Sequence, residues 1–169
     1  MYRYRKGVIG GRMDPIVTGV IAGVLGTFVM DFLNHLLSRT GIILKIDIGM
    51  IGRMSAGWAH GRFRYTHPGE MEQTANELLY GYITHYAIGG VLAIAYMLSW
   101  DILIGGPASA VWALVYGIAT TLASHLFVLP SMGLGVFGRR SPEGIKGSLS
   151  PLANHLFYGV GIAVAIALA

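Results

Sequence analysis

The sequence predicts an all-α, polytopic membrane protein: a four-helix bundle made of two parallel helical-hairpin repeats. Three observations predict it. Four apolar stretches, 16–37, 74–100, 109–129 and 149–169, are each long enough to cross a hydrocarbon core, which takes about 20 helical residues. Only 12% of the 169 residues are charged, against about 25% in soluble domains. Motifs of the first half of the chain also return, in the same order, in the second.

Residues 1–12 read as a basic extension, with Arg3, Arg5, Lys6 and Arg12, whose apolar run is too short for a cleavable signal peptide. The single transmembrane domain is placed at 13–169. Pro15 suits the start of the first span, because its fixed φ is preorganised for a first helical turn. Within that span Gly19, Gly23, Thr27, Asp31 and His35 recur at every fourth residue and share one ridge. The ridge begins with small residues and ends with a carboxylate and an imidazole, so it must face protein rather than lipid. A long loop, 38–73, follows with Lys45, Arg53, Arg62 and Arg64; the second span carries Glu77, Gly81, His85, Gly89 and Ala93 and ends at the interfacial Trp100. The tight turn 101–108 has no Lys or Arg. The third span carries Ala113, Gly117, Thr121 and His125, the second long loop, 130–148, Arg139, Arg140 and Lys146, and the fourth span His155, Gly159, Ala163 and Ala167. Small residues spaced by four let backbones approach, which is how helices associate in lipid, where no hydrophobic effect drives them together. Four spans put both long loops on one side, and their bases place that side in the cytoplasm.

Gly49-Met-Ile-Gly52-Arg53 matches Gly135-Val-Phe-Gly138-Arg139, Ala75-Asn76-Glu77 matches Ala153-Asn154-His155, and Gly23, Thr27 and Asp31 match Gly117, Thr121 and His125. The matches set repeat one at 13–100 and repeat two at 109–169, related by an axis along the membrane normal. That symmetry puts Asp31 opposite His125 and Glu77 opposite His155, with His35 and the asparagines Asn34, Asn76 and Asn154 beside them. Ionisable groups inside spans are costly and face a partner or a cavity. Three readings of the cluster follow. It is a hydrogen-bonded network that only pins the helices, or a centre for a divalent metal, Zn, Fe or Mn, held by Asp31, His35, Glu77, His125 and His155, or a proton relay. His85, among glycines two turns deeper than Glu77, reads as a helix–helix hydrogen bonder and, in a relay, as the next station. A di-iron carboxylate bundle does not fit, since Tyr80 stands where a Glu-x-x-His motif needs its histidine.

The repeated G-x-x-G-R motif offers Arg53 and Arg139 to an anion or lipid head group; the plainer reading is a turn whose arginines serve topology. The chain has no cysteine, which excludes disulfides, thiolate metal sites and Fe–S clusters. Net charge is +4, but the bases flank apolar runs instead of gathering on a soluble face, which argues against nucleic acid as a partner. The expected partners are the lipid bilayer and further copies of the chain or other membrane subunits. No nucleophile–base arrangement stands out, so no reaction is assigned.

Six stretches together carry a resemblance: G-T-F-V-M-D-F-L-N-H, I-D-I-G-M-I-G-R-M, E-L-L-Y-G-Y-I-T-H-Y, G-P-A-S-A-V-W-A-L-V-Y-G, P-S-M-G-L-G-V-F-G-R-R-S-P and L-A-N-H-L-F-Y-G. With them the chain resembles the bacterial membrane family catalogued as domain of unknown function 2938, from Met13 onward. The resemblance implies a bacterial inner-membrane protein with four spans and carries no activity with it. Around His125, Pro130, Met132-Gly133-Leu134 and Asn154-His155-Leu156 the chain is also similar to inner-membrane proteins linked with acid resistance, a pointer to proton handling. The expectation is therefore an inner-membrane protein with a buried His/carboxylate centre near its cytoplasmic face, binding a metal ion or relaying protons. The alternative is an accessory subunit or scaffold whose polar residues only hold helices together.

Overall fold

The computed structural model describes residues 13–168; the predicted extension 1–12 and the final residue of the fourth span lie outside them. The elements are helical throughout: α1 (Pro15–Ser38), α2 (Ile48–Ala59), α3 (Glu77–Leu103), α4 (Ala110–Ser131) and α5 (Ile145–Leu168). All but α2 are long and apolar enough to cross a membrane. The Asp14 carboxylate caps α1 by accepting from the amides of Ile16 (2.8 Å) and Val17 (3.3 Å), which satisfies donors that have no intrahelical partner. Ser109 does the same for α4, accepting from Trp112 at 3.4 Å.

Burial in the spans is the inverse of that in a soluble bundle. In α1 the inward residues are Gly19, Ala22, Gly23, Gly26, Thr27, Met30 and Asn34, while Ile16, Val20, Val24, Phe28 and Phe32 point outward. Large apolar side chains gain nothing by leaving lipid, so the interior is given to residues that let backbones close. The chain is accordingly a multi-pass membrane protein.

α1 and α5 form the centre; α3 packs on the outer side of α1 and α4 on the outer side of α5. The predicted ridge of α1 is the α1–α3 seam. A β-carbon at Gly19 would lie 2.6 Å from the Cα of Ile94, and one at Gly23 would lie 2.6 Å from the Cα of Gly90. Next along the seam Thr27 touches Gly89, and Asp31 meets His85. A second seam, not anticipated, joins α1 to α5: a β-carbon on Gly161 would stand 2.5 Å from the Cα of Gly26, and Asn34 bonds Asn154. α4 meets α5 where Gly117 and Gly159 face each other. α3 and α4, by contrast, hardly touch; Tyr96 and Tyr116 join them, their ring centroids 5.0 Å apart.

At two of the three matched motifs the halves differ in conformation. Gly49–Arg53 lies in α2, capped by Asp47, whose carboxylate accepts from Met50 at 2.9 Å. Its counterpart is a short 3-10 turn, with Gly135, Phe137 and Gly138 all at positive φ. Asn76 stands before the first turn of α3, whereas Asn154 lies well inside α5, which starts at Ile145. Likeness of residues here is not likeness of conformation.

Both long loops lie on one face and form a cap. Trp58 donates from Nε1 to Ser131 Oγ (2.7 Å), and Ser131 Oγ donates to the Phe63 carbonyl (2.7 Å). Lys146 reaches the Gly41 carbonyl at 2.7 Å. The Thr66 hydroxyl and amide, with Arg62, hold the Glu70 carboxyl below the usual carboxylate range.

Candidate functional site

The structure distributes the predicted centre among separate contacts. Asp31 lies about two turns from the loop end of α1, and His85 about two turns from the loop end of α3. The helices are antiparallel, so the two groups meet at one depth: His85 Nε2 is 2.9 Å from Asp31 Oδ1. A carboxylate oxygen accepts, so Nε2 carries the hydrogen. Both side chains are sheltered, at 12% and 24% exposure for His85 and Asp31. The Tyr86 ring stands edge-on to His85 at 6.0 Å and its hydroxyl faces the same carboxylate.

Glu77 turns the other way. Gly52 and Gly81 let α2 lie directly on the first turns of α3, and Arg53 grips Glu77 through Nε (2.7 Å) and Nη2 (3.2 Å). The same hydrogen bonds raise the Arg53 guanidinium above its ordinary value. Arg53 is thus engaged with a carboxylate of the fold; Arg139 is exposed beside the 3-10 turn. Arg53→Ala leaves Glu77 without its fork at about a quarter exposure. It should lower stability modestly, as expected of a pair near solvent, measured as a small drop in melting temperature in detergent.

His35 is exposed and lies 2.7 Å from Arg39. His125 sits in a π-helical turn of α4, Ser124–Val128, donates from Nε2 to the Ser148 carbonyl at 3.0 Å and rests on Phe137. His155 bonds Thr120 at 2.8 Å. Asp31 therefore faces His85, not His125, and Glu77 faces Arg53, not His155. Among the described residues no three His, Asp or Glu side chains gather closely enough to hold a metal ion. The predicted metal set of Asp31, His35, Glu77, His125 and His155 is not assembled, because the α1–α3 seam and the α2 contact claim its carboxylates separately.

The Asp31–His85 pair stands between two cavities. Asp31 lines a pocket of about 340 Å³ at the loop face, with Tyr82, Tyr86, His35 and Lys45. His85 lines a half-open cavity of about 480 Å³ walled by α3 and α4 together with α2, α5 and the loops, with His155 and Tyr158 at its inner end and Lys45, Asp47 and Glu143 contributed by the loops. Beyond it, tyrosine hydroxyls donate to backbone carbonyls at successive depths: Tyr158 to Gly89 (2.5 Å), Tyr116 to Leu92 (2.8 Å) and Tyr96 to Ser109 (2.5 Å) beside the short turn. Sequence reading missed these tyrosines and Thr120. A tyrosine in an apolar run reads as packing, and its acceptor carbonyls leave no mark in the sequence.

A model of the family described as protein of unknown function (DUF2938) matches residues 20–169. The chain belongs to this family. The match takes in both cavities, the Asp31–His85 pair and the seams except for Gly19, so these lie within the family's own domain. No curated protein and no solved structure matches the chain.

Proposed function

We propose that this member of the family moves protons across a bacterial inner membrane. The observation that carries the reading is the Asp31–His85 hydrogen bond, which links a pocket at the loop face to a cavity inside the bundle. A carboxylate bonded to one imidazole nitrogen makes the other nitrogen more basic and lets the ring take up a proton on one side and release it on the other. Asp31, with Tyr86 at its side and Tyr82, His35 and Lys45 around the pocket, exchanges with the loop-face solvent. His85 exchanges with the cavity, where His155 and Tyr158 stand, and Tyr116 and Tyr96 place further polar groups at successive depths toward the short turn. The bases of the long loops support a cytoplasmic position for the loop face under the positive-inside rule.

Purified protein in liposomes holding a trapped pH dye, with valinomycin and potassium to balance charge, tests this. An imposed pH difference should collapse faster than in empty liposomes, and Asp31→Asn and His85→Phe should each remove most of the difference. Wild-type protein no leakier than lipid alone would leave the pair as a tie between helices, the scaffold reading, which the separate partners of Glu77 and His125 favour.

A further inference from the structure

The half-open cavity has a polar end whose chemistry selects a ligand. Thr120 Oγ1 lies 2.6 Å from the Gly117 carbonyl, to which it can only donate, and 2.8 Å from His155 Nδ1. A hydroxyl has one proton, so toward His155 Thr120 accepts, and Nδ1 carries the ring hydrogen. Nε2 of the neutral ring is then a bare lone pair. Nearby, the Tyr158 hydroxyl proton is taken by the Gly89 carbonyl and the His85 Nε2 hydrogen by Asp31. At His155 the cavity therefore offers an acceptor to a hydrogen-bond donor.

The walls decide the rest of the ligand. Ile88 and Leu92 of α3 and Val128 and Leu129 of α4 make them apolar. Among the described residues the only lysine or arginine lining the cavity is Lys45, which comes from the loop, so an anionic head group would have no permanent counter-charge at the inner end. The cavity lies where α3 and α4 hardly touch each other.

We propose that the cavity binds a membrane-soluble hydroxyl compound, an isoprenoid alcohol or a long-chain hydroquinone, that slips between α3 and α4 and donates its hydroxyl to His155 Nε2. This site stands on the geometry around His155 and holds whether or not protons cross the bundle.

Calorimetry on the detergent-solubilised full chain tests it with farnesol, decylhydroquinone and the methyl ether of each. Wild type should bind at least one hydroxyl compound about tenfold more tightly than its ether, the worth of one buried hydrogen bond. Which compound shows the preference identifies the class. His155→Phe should bind hydroxyl and ether alike, and Ile88→Trp, which narrows the cavity, should weaken both. The proposal is overturned if wild type prefers neither hydroxyl compound over its ether, or if His155→Phe keeps the preference. Should that variant fail to fold, the ether comparison on wild type decides alone.

Discussion

Asn34→Leu should lower the melting temperature of the detergent-solubilised protein by on the order of 10 °C. Asn34 is 2% exposed and engages both ends of its amide: Nδ2 donates to the Leu44 carbonyl and to Asn154 Oδ1, each at 2.9 Å, and Oδ1 accepts from the Ile46 amide at 3.0 Å. Leucine keeps the branching and the heavy-atom count, so the change falls mainly on three partners, one buried and two half-buried, that lose their bonds. An unsatisfied buried group costs about 1–3 kcal/mol, which gives a total of roughly 3–5 kcal/mol, and each kcal/mol shifts melting by about 2–4 °C at this chain length. The damage is also local. Leu44–Ile46 ties the first long loop to α1 and α5, with Ser150 Oγ accepting from the Leu44 amide at 2.8 Å. Trypsin cleavage after the exposed Lys45 should therefore accelerate more than cleavage elsewhere. Asn154→Ala, which takes one of the three bonds from Asn34, should cost about a third as much.

Gly161→Leu should do at least as much harm, for a different reason. The added β-carbon would stand 2.5 Å from the Cα of Gly26 and 2.9 Å from the Leu25 carbonyl. Both are backbone atoms of the central helix pair, and no flexible side chain can move aside. Overpacking costs about 1–3 kcal/mol where neighbours adjust; here α1 and α5 must separate, and the expected cost is about 3 kcal/mol or more. Loss of monodisperse protein on gel filtration, with a depressed melting temperature in what remains, reports it. Gly90→Ala is the matched control. Its β-carbon meets nothing within 4 Å, and alanine is the better helix former by about 0.5–1 kcal/mol, so this variant should be as stable as wild type or slightly more so.

The contrast between these glycines shows what the sequence discloses. A four-residue spacing marks a ridge, and the ridge of Gly19, Gly23, Thr27 and Asp31 is the α1–α3 seam. The second seam, through Gly26 and Asn34, was hidden because an isolated glycine and asparagine in an apolar run do not form a pattern. Span positions were legible to within a few residues, since length and apolarity are properties of the chain itself. Partner choice was not. Residue likeness between the halves pointed Asp31 at His125, while the depths of Asp31 and His85 in antiparallel helices, both readable from the sequence, would have paired them correctly. Likeness failed because conformation is set by contacts: the Asp47 cap and the surface of α3 hold Gly49–Arg53 in a helix, while left-handed glycines bend Gly135–Arg139 into a turn.

The central claim, that Asp31 and His85 join two water-reached spaces, meets its most direct test in cysteine labelling, because the chain has no cysteine of its own. Tyr86→Cys places a thiol in the loop-face pocket and Ser124→Cys one in the half-open cavity, while Val24→Cys faces lipid. A small water-soluble thiosulfonate needs the thiolate, and so needs water at the sulfur. The account predicts that Tyr86→Cys and Ser124→Cys react and Val24→Cys does not. Ser124→Cys or Tyr86→Cys as silent as Val24→Cys would contradict it.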